Sequence, residues 1–389
     1  MWQPLLGATV LAAVRARVRV RVFGRFPERN GPLLILTNHQ HDLDSVVVPG
    51  LAMLAPPLQV SVWAVGSQRL FEPGFLAPRV PGLWRTVVKD PRFAQLLLGV
   101  GVLPLENEPL ARSLVSLAAE VAARHGDLPV SAVLSDAALA DLAARAGRPL
   151  DGLRLHHLWS PPLVEMHPAP VSLLTLREPH REETRRALRP RLQAQMSAVT
   201  GALGRGETVF LTPEGRVTAD GRMGRMREAL DRLLPGTGGR VHLAAVSYDP
   251  FRRRRMSMLC RLVPPTAAAD LPRSLAVARP VTVSQLLATW LRAHEGVAFS
   301  PAAATAGVRE LLAGLPRATW APQALRAAPD AEVEAALQAM VQLGWLRREG
   351  ARLARTDRLT DVNLHEAADI FAHQANQMAE TVAAAAVLQ

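Results

Sequence analysis

The chain has 389 residues, 49% of them hydrophobic, so it is long enough for two or more domains with a sizeable core and is globular rather than disordered. A formal net charge of +11 favours acidic partners, namely phospholipid headgroups, phosphorylated substrates or nucleic acid, although an arginine-rich composition equally reflects a GC-rich genome. Cys260 is the only cysteine, which excludes a disulfide framework and a thiolate zinc site and favours a cytoplasmic location.

The first 22 residues combine an apolar leader with a basic strand. Residues 1–14 carry no charge, are too few to span a bilayer at about 20 residues per crossing, and lack the basic region of a signal peptide. We interpret them as a helix lying in the membrane interface; the alternative is a helix packed on the domain itself. In residues 14–22 arginine and apolar residues alternate, which predicts a strand whose arginine face is solvated or meets anionic lipid.

The rest of the chain is organised around residues 33–44. The run 33–36 is apolar, which is typical of a strand buried on both faces, and Asn38, His39 and Asp44 come directly after it. In open α/β sheets the loops at the carboxyl ends of the strands form the reactive crevice. His39 and Asp44 are therefore the candidate catalytic pair.

Two other interpretations of this stretch remain open. A histidine that follows an apolar strand is often structural. His39, His41, Asp42 and Asp44 also lie close together in sequence, as ligands of a metallohydrolase do. Their order does not match the H-x-H-x-D-H signature, however, and no later histidine cluster supplies the remaining ligands.

The N-H-x4-D sequence of residues 38–44 resembles the first block of the glycerolipid acyltransferase family, which includes glycerol-3-phosphate and lysophosphatidate acyltransferases. The resemblance implies that His39 is a general base and that Asp44 orients it. A neutral imidazole can take the proton of a glycerol hydroxyl as that oxygen attacks a thioester carbonyl. The carboxylate then fixes the tautomer and stabilises the imidazolium.

A second stretch, T-P-E-G-R at residues 212–216, follows the apolar run 209–211 and resembles the third block of that family, F-P-E-G-T-R, with one residue missing. The resemblance implies that Gly215 lets the backbone approach a phosphate and that Arg216 supplies a bidentate cation. Glu214 would accept from the glycerol hydroxyl or anchor the loop.

The second block of the family departs from the expected pattern. Residues 100–107 look like this block, but Glu106 stands where the family has an arginine, and a carboxylate cannot hold a substrate phosphate. Residues 171–177 predict an apolar strand that ends at Arg177, so Arg177 is our candidate for the displaced cation; the alternative is an arginine capping a strand at the surface. His156 and His157 in the preceding loop have no carboxylate or thiol at ligand spacing, so we do not predict a metal there.

Residues 241–389 are predicted to contain a buried strand, an arginine run, a helix with a two-stranded wing and a final helix. Residues 241–246 predict a buried strand at the fourth-block position, and the four-arginine run 252–255 after it is either a solvated turn or a patch for anionic lipid or an acyl carrier protein. Residues 332–345 predict a helix, followed by a two-stranded wing turned at Gly350 as in a winged-helix unit. Residues 360–389 predict a final amphipathic helix.

Together these features predict an α/β protein with a central mixed sheet flanked by helices, as in glycerolipid acyltransferases. We expect a membrane-proximal leader and strand at 1–30, an acyltransferase domain at 31–275 with a helical insertion at 108–168, and a mostly helical, winged-helix-like domain at 276–389. The predicted site residues are His39, Asp44 and Glu214 as catalytic groups and Asn38, Arg177, Gly215 and Arg216 as substrate-binding groups, with no metal.

The expected function is transfer of a fatty acyl group from acyl-CoA or acyl carrier protein to a glycerolipid hydroxyl, without a bound cofactor because the thioester is itself activated. The expected location is cytoplasmic, peripheral on the inner face of an anionic membrane. Two alternatives remain: a His/Asp or metal-dependent hydrolase, and a non-enzymatic regulator using the basic carboxyl-terminal module. Nucleic-acid binding is not expected, because that module has no Arg-rich recognition helix.

Overall fold

A computed structural model describes residues 3–28, 30–55, 61–72, 75–76, 82, 84–90, 92–106, 111–147, 149–159, 163, 170–252, 254–266, 270–360 and 367–388. The chain divides into two compact units. The first comprises residues 1–64 and 202–389, and the second comprises residues 65–201. This division differs from the boundaries predicted at residues 30 and 275, which remain predictions.

A mixed seven-stranded sheet forms the centre of the α/β fold, in the order β1, β9, β8, β2, β7, β3, β4. Strand β2 pairs in parallel with both β7 and β8, whereas β8 and β9 are antiparallel. Two further pairs, β5 with β6 and β10 with β11, are antiparallel. The bounds are β1 Arg19–Gly24, β2 Leu33–Leu36, β3 Val62–Ser67, β4 Val102–Leu105, β5 Ala111–Ser113, β6 Pro170–Ser172, β7 Thr208–Leu211, β8 Val241–Asp249, β9 Ser257–Val263, β10 Leu346–Glu349 and β11 Arg352–Arg355.

Helices account for most of the remaining regular structure. The helix bounds are α1 Gln3–Arg15, α2 Asp44–Leu54, α3 Trp84–Lys89, α4 Phe93–Gly99, α5 Leu114–His125, α6 Val130–Val133, α7 Asp136–Ala146, α8 His180–Gly204, α9 Ala229–Leu233, α10 Leu271–Ala278, α11 Val283–Ala293, α12 Pro301–Ala313, α13 Gln323–Ala327, α14 Pro329–Gln342 and α15 Ile370–Ala386. Within the described ranges, none of them is long and apolar enough to cross a membrane.

The parallel strands of the first unit position its loops. All four residues of β2 and all four of β7 are buried, as expected for apolar strands covered on both faces. Leu36 pairs with Leu211 of β7 and with Leu243 of β8, so β2 and β7 end side by side. The loops that carry His39 and Glu214 therefore leave the same edge of the sheet at neighbouring positions.

The apolar leader forms α1, and one of its faces packs within the first unit. Leu11 is buried in the main core, and a Cβ built on Gly7 would lie 2.8 Å from the carbonyl oxygen of Gly50 in α2. The two helices are therefore in close contact at these glycines. Leu5 on the other side of α1 is 61% exposed. The helix extends to Arg15, so the predicted basic strand starts only at Arg19.

The second unit has its own core, to which buried residues of α5, α6 and α7 and of the segment 155–188 contribute. The strand predicted at residues 171–177 is wrong. Strand β6 stops at Ser172, because the Ser172 hydroxyl accepts from the backbone N–H of Leu174 and begins a 3-10 turn at residues 173–175. Since β6 pairs with β5 and not with the central sheet, Arg177 does not end a strand of that sheet.

Other predicted elements are present. Strand β2 has the predicted ends, and a helix followed by the β10–β11 hairpin with its turn at Gly350 occurs as expected for a wing. Helix α15 covers residues 370–386 of the predicted last helix, while 361–366 and 389 lie outside the described residues. Its buried face packs on α10 and α11.

Candidate active site

Two loops from distant parts of the sequence meet at a single carboxylate. Glu214 follows β7, and its Oε1 accepts the backbone N–H of His39 at 2.8 Å. Its Oε2 accepts the backbone N–H of Gly224 at 2.7 Å. The side chain is 2% exposed. Glu214 thus joins the His39 loop to the loop of residues 212–224, and both of its oxygens are used for this purpose.

Asp44 is the first residue of α2 and is fully buried. Its Oδ2 accepts the backbone N–H groups of Gln40 at 2.6 Å and His41 at 2.8 Å, and its Oδ1 accepts the hydroxyl of Tyr248 at 2.6 Å. Three donors on two oxygens leave this carboxylate little freedom to rotate. The four residues between His39 and Asp44 form the turn that makes these backbone contacts.

His39 lies beside this fixed carboxylate. Its Nδ1 is 3.5 Å from Asp44 Oδ2, at the outer limit of a hydrogen bond, and no described residue offers Nδ1 a closer partner. The His39 side chain is 12% exposed, so the ring is not sealed in the core. Burial lowers the His39 pKa, but Asp44 and then the charges of Glu214 and Asp42 raise it by more, so the net pKa is above the ordinary value. The site therefore stabilises a proton on this imidazole.

Asn38 binds protein backbone. Its Nδ2 donates to the carbonyl oxygen of Val246 at 2.9 Å, and its Oδ1 accepts the Val246 N–H at 2.7 Å. The side-chain amide thereby continues the pairing of β2 with β8 after the backbone of β2 has turned away. The geometry thus supports a role for Asn38 in holding the His39 loop, while the predicted contact with substrate stays a prediction.

The Glu214 carboxyl has an unusual electrostatic environment. Burial raises its pKa to about 7, against the opposing effect of the two backbone N–H donors and of the positive charge of Arg279. Arg279 is itself fully buried at the end of α10, and its Nη2 donates to Glu380 Oε2 at 2.6 Å. Its Nε and Nη1 have no hydrogen-bond partner among the described residues. Arg279 acts on the site through its charge, since no part of it is exposed to a ligand.

The turn after Glu214 depends on glycine. Gly215 has φ of +73°, a left-handed conformation that side chains disfavour, and its N–H bonds to the Thr212 carbonyl at 3.1 Å. Arg216 comes next, and its side chain is exposed. Arg227 Nε donates to the carbonyl oxygen of Glu214 at 3.2 Å and closes the loop from the other side. The predicted contacts of Gly215 and Arg216 with a substrate stay a prediction.

Helix α15 holds the far end of the same loop. The Glu380 carboxylate accepts the backbone N–H of Met223, with the shorter distance 3.0 Å, and Asn376 Nδ2 donates to the Asp220 carbonyl at 3.0 Å. Gly221 has φ of +78°, and a Cβ there would lie 2.4 Å from the carbonyl oxygen of His373. The loop therefore approaches α15 closely at Gly221, three residues before Gly224, whose N–H binds Glu214.

Arg177 and Glu106 both belong to the second unit. Arg177 Nε donates to the Leu134 carbonyl at 2.6 Å and its Nη2 donates to Asp136, the first residue of α7. The alternative of an arginine that caps a strand is not met either, because Arg177 follows the 3-10 turn of residues 173–175. Glu106 lies 3.6 Å from Arg112 Nε and 3.8 Å from Arg191 Nη1, and burial raises its pKa despite these cations. Arg177 as a phosphate ligand remains a sequence prediction without support from this geometry.

Three residues that shape the site, Tyr248, Arg279 and Glu380, were not predicted from the sequence. Tyr248 is the only tyrosine of the chain and stands at the end of β8, a position that could have suggested a partner for the candidate catalytic pair. Arg279 and Glu380 lie beyond residue 275, where the resemblance ends. No spacing or motif marks them, because their contacts are made only by tertiary packing.

We expect Glu214→Gln to lower the His39 pKa, because the substitution removes one of the negative charges that raise it. The measurement is an NMR titration of the imidazole resonances, with His39→Ala used to assign the His39 signal. Glu228→Gln is the matched control, since Glu228 is an exposed glutamate on the same segment. An unchanged His39 titration in Glu214→Gln would contradict the electrostatic coupling.

The same substitution should also change how stability depends on pH. The folded Glu214 carboxyl keeps its proton up to about pH 7, whereas its reference pKa is 4.5. Between about pH 4.5 and 7 the folded state thus binds more protons than the unfolded state does. The contribution of Glu214 to the free energy of unfolding is therefore full below about pH 4.5 and is lost as the pH rises through about 7. Urea unfolding across this range should show a smaller decrease in Glu214→Gln.

Comparison with known proteins adds no assignment: no protein-family model matches the chain, and no curated protein matches it.

Proposed function

We propose that the protein is an O-acyltransferase that moves a fatty acyl group from acyl-CoA or acyl carrier protein to a hydroxyl of a glycerolipid, such as lysophosphatidic acid or glycerol 3-phosphate. One observation carries the proposal. His39 of the N-H-x4-D stretch and Glu214 of the P-E-G stretch are 175 positions apart in the sequence, yet His39 N–H and Glu214 Oε1 meet at 2.8 Å. The parallel pairing of β2 with β7 brings both stretches to one sheet edge, and the hydrogen bond joins the two motif residues directly.

In the proposed reaction His39 is the base. Its imidazole takes the proton of the acceptor hydroxyl as that oxygen bonds to the thioester carbonyl carbon. The tetrahedral intermediate then expels the thiolate, and the imidazolium returns the proton to sulfur, so an ester and a free thiol are formed. Asp44, held by Gln40, His41 and Tyr248, stabilises the imidazolium between the two steps.

Glu214 has a positioning role in this proposal. Both of its oxygens bind backbone N–H groups and the side chain is buried, so it fixes the loops and does not reach the acceptor. Gly215 and the exposed Arg216 follow directly, and an arginine beside a left-handed glycine is suited to a phosphate on the acceptor. The acceptor phosphate, where there is one, is thus assigned to Arg216 and not to Arg177.

The deciding experiment supplies the purified protein with labelled acyl-CoA, or labelled acyl carrier protein, and a panel of lysolipids and glycerol 3-phosphate. Release of one thiol per ester formed supports the proposal. Thiol release without an ester in the presence of every acceptor would instead mean that water is the nucleophile and that the protein is a hydrolase. A chelator in parallel samples separates a metal-dependent hydrolase from a His/Asp one.

The proposal places the protein on the cytoplasmic face of an anionic membrane, where lipid acceptors reside. Helix α1 exposes Leu5, and the basic side chains of Arg17 and Arg19 follow it. Arg255 joins this region, since its Nη1 donates to the carbonyl oxygen of Arg15 at 2.8 Å. Within the 252–255 run, Arg252 is bound by Asp249 and Glu332, and Arg253 lies outside the described residues. A weak apolar anchor and a basic patch together suffice for attachment.

We expect the protein to float with anionic vesicles at low salt and to lose most of this binding in high salt, because exposed charges are screened. Leu5→Glu should weaken flotation further, since it puts a negative charge on the outward face of α1. Leu174→Glu is the matched control, because Leu174 is 67% exposed but lies in the second unit. Equal loss in the two variants, or full binding in high salt, would contradict this orientation.

A further inference from the structure

Three side chains of the second unit have the composition and spacing of a metal site. His125 is the last residue of α5, and His180 and Glu183 lie one turn apart at the start of α8. Their ligand atoms all lie within 4.8 Å of one another. We propose that His125, His180 and Glu183 bind one divalent metal ion of the zinc class. This inference is independent of the acyltransferase proposal, since it concerns another part of the chain.

The strongest observation is an unsatisfied nitrogen. His180 is 7% exposed, and its Nδ1 is buried without a hydrogen-bond partner among the described residues. That atom faces Glu183 Oε2 at 4.0 Å, too far for a hydrogen bond but suited to sharing an ion. A buried polar atom without a partner costs free energy, and a metal bond would remove this cost.

The other two ligands are already in contact. His125 Nε2 lies 2.5 Å from Glu183 Oε2, and the rings of His125 and His180 have their centroids 4.8 Å apart in an edge-to-face arrangement. Ligand atoms around a tetrahedral zinc lie about 3.4 Å apart, given metal–ligand distances of about 2.0–2.2 Å. Zinc binding therefore requires His125 Nε2 and Glu183 Oε2 to move apart by less than about 1 Å. It also requires His180 Nδ1 and Glu183 Oε2, now 4.0 Å apart, to move closer to each other.

The group of ligands is open to solvent on one side. About a third of the His125 and Glu183 side chains is exposed, which gives an ion a route from solvent and leaves a coordination position open.

A second histidine group in the same unit provides a contrast. His156 binds Asp127 Oδ2 at 2.6 Å, but the neighbouring His157 Nδ1 accepts the N–H of Arg154 at 3.0 Å. Arg154 also binds Asp127, so a cation already occupies the carboxylate. Among the described residues this group has no third ligand atom that points to the same place, and the exposed His156 serves as the control.

The test titrates zinc into the full chain, stripped of metal by a chelator, in competition with a chromophoric chelator. We expect one zinc per chain, with affinity reduced at least tenfold in His180→Ala and in Glu183→Gln and unchanged in His156→Ala. Circular dichroism shows whether each variant is folded. Glu183→Gln is the safer variant, because its side chain is half-exposed and keeps its shape.

Cobalt provides the second measurement, because four-coordinate cobalt absorbs visible light much more strongly than six-coordinate cobalt does. The expected result is a strong visible band at one equivalent of cobalt that is lost in Glu183→Gln and retained in His156→Ala. Absence of stoichiometric zinc binding in the wild type, or equal binding in folded Glu183→Gln, would overturn the proposal.

Discussion

His39→Ala should abolish acyl transfer while leaving the fold intact. General-base catalysis contributes about 10² to 10⁴ in rate, and the proposed mechanism gives the protein no second base near the acceptor hydroxyl. The fold should survive because the His39 contact that links the two loops is made by its backbone N–H, which alanine retains. The assay is thiol release and ester formation with the substrate pair found in the panel, beside urea unfolding of the same preparation.

His156→Ala is the matched control for this experiment, since His156 is an exposed histidine in the other unit. Its turnover should equal that of the wild type. Near-normal turnover of His39→Ala would remove the proposed mechanism. Loss of activity together with a large loss of stability would instead make His39 a structural residue, which was one of the alternatives for the stretch.

Two substitutions of Asp44 should separate catalysis from stability. Asp44→Ala leaves the N–H groups of Gln40 and His41 and the hydroxyl of Tyr248 without their acceptor. Each buried unsatisfied group costs about 1–3 kcal/mol, so the free energy of unfolding should fall by at least about 3 kcal/mol. Asp44→Asn keeps one oxygen for the two backbone donors and should lose much less.

Activity should fall in both Asp44 variants, because neither keeps the negative charge that raises the His39 pKa. In hydrolytic triads the equivalent Asp-to-Asn change costs up to about 10⁴ in rate, and the longer 3.5 Å separation here predicts an effect no larger than that of His39→Ala. Urea unfolding and turnover are measured on the same samples, with Tyr248→Phe as a control that deletes one donor. An Asp44→Ala protein as stable as the wild type would contradict the buried network.

The parts of the fold that the sequence predicted are those with local signals. The run of residues 33–36 is apolar and ends in polar residues, so β2 could be placed to the residue. The alternating run of residues 14–22 predicted β1 but not its first residue, because α1 continues to Arg15 and the Val18 N–H still bonds to the Val14 carbonyl, so that the strand begins only at Arg19. The spacing of apolar residues alone does not determine where a helix ends and the following strand begins.

The site residues, too, could be predicted where a local sequence motif marks them and could not be predicted where only tertiary packing brings them together. The meeting of His39 and Glu214 could be expected from two strand ends with motif residues, since parallel strands finish at one edge. The error about Arg177 came from treating residues 171–177 as another such strand, whereas the Ser172 hydroxyl turns the chain after three strand residues. The role of Glu380 could not be predicted from the sequence, because only the packing of α15 brings Glu380 into contact with Met223 and Arg279.

The contacts of α15 also bear on the order in which the protein becomes competent during synthesis. The contacts of Asp44 with His39 and Tyr248 are made by residues of β8 and of the earlier chain alone. The loop that presents Glu214 is different, because Met223 is held by Glu380 and Gly221 lies against His373. Before α15 has left the ribosome, the loop that presents Glu214 would lack these contacts, so full assembly of the site waits until Glu380 has emerged.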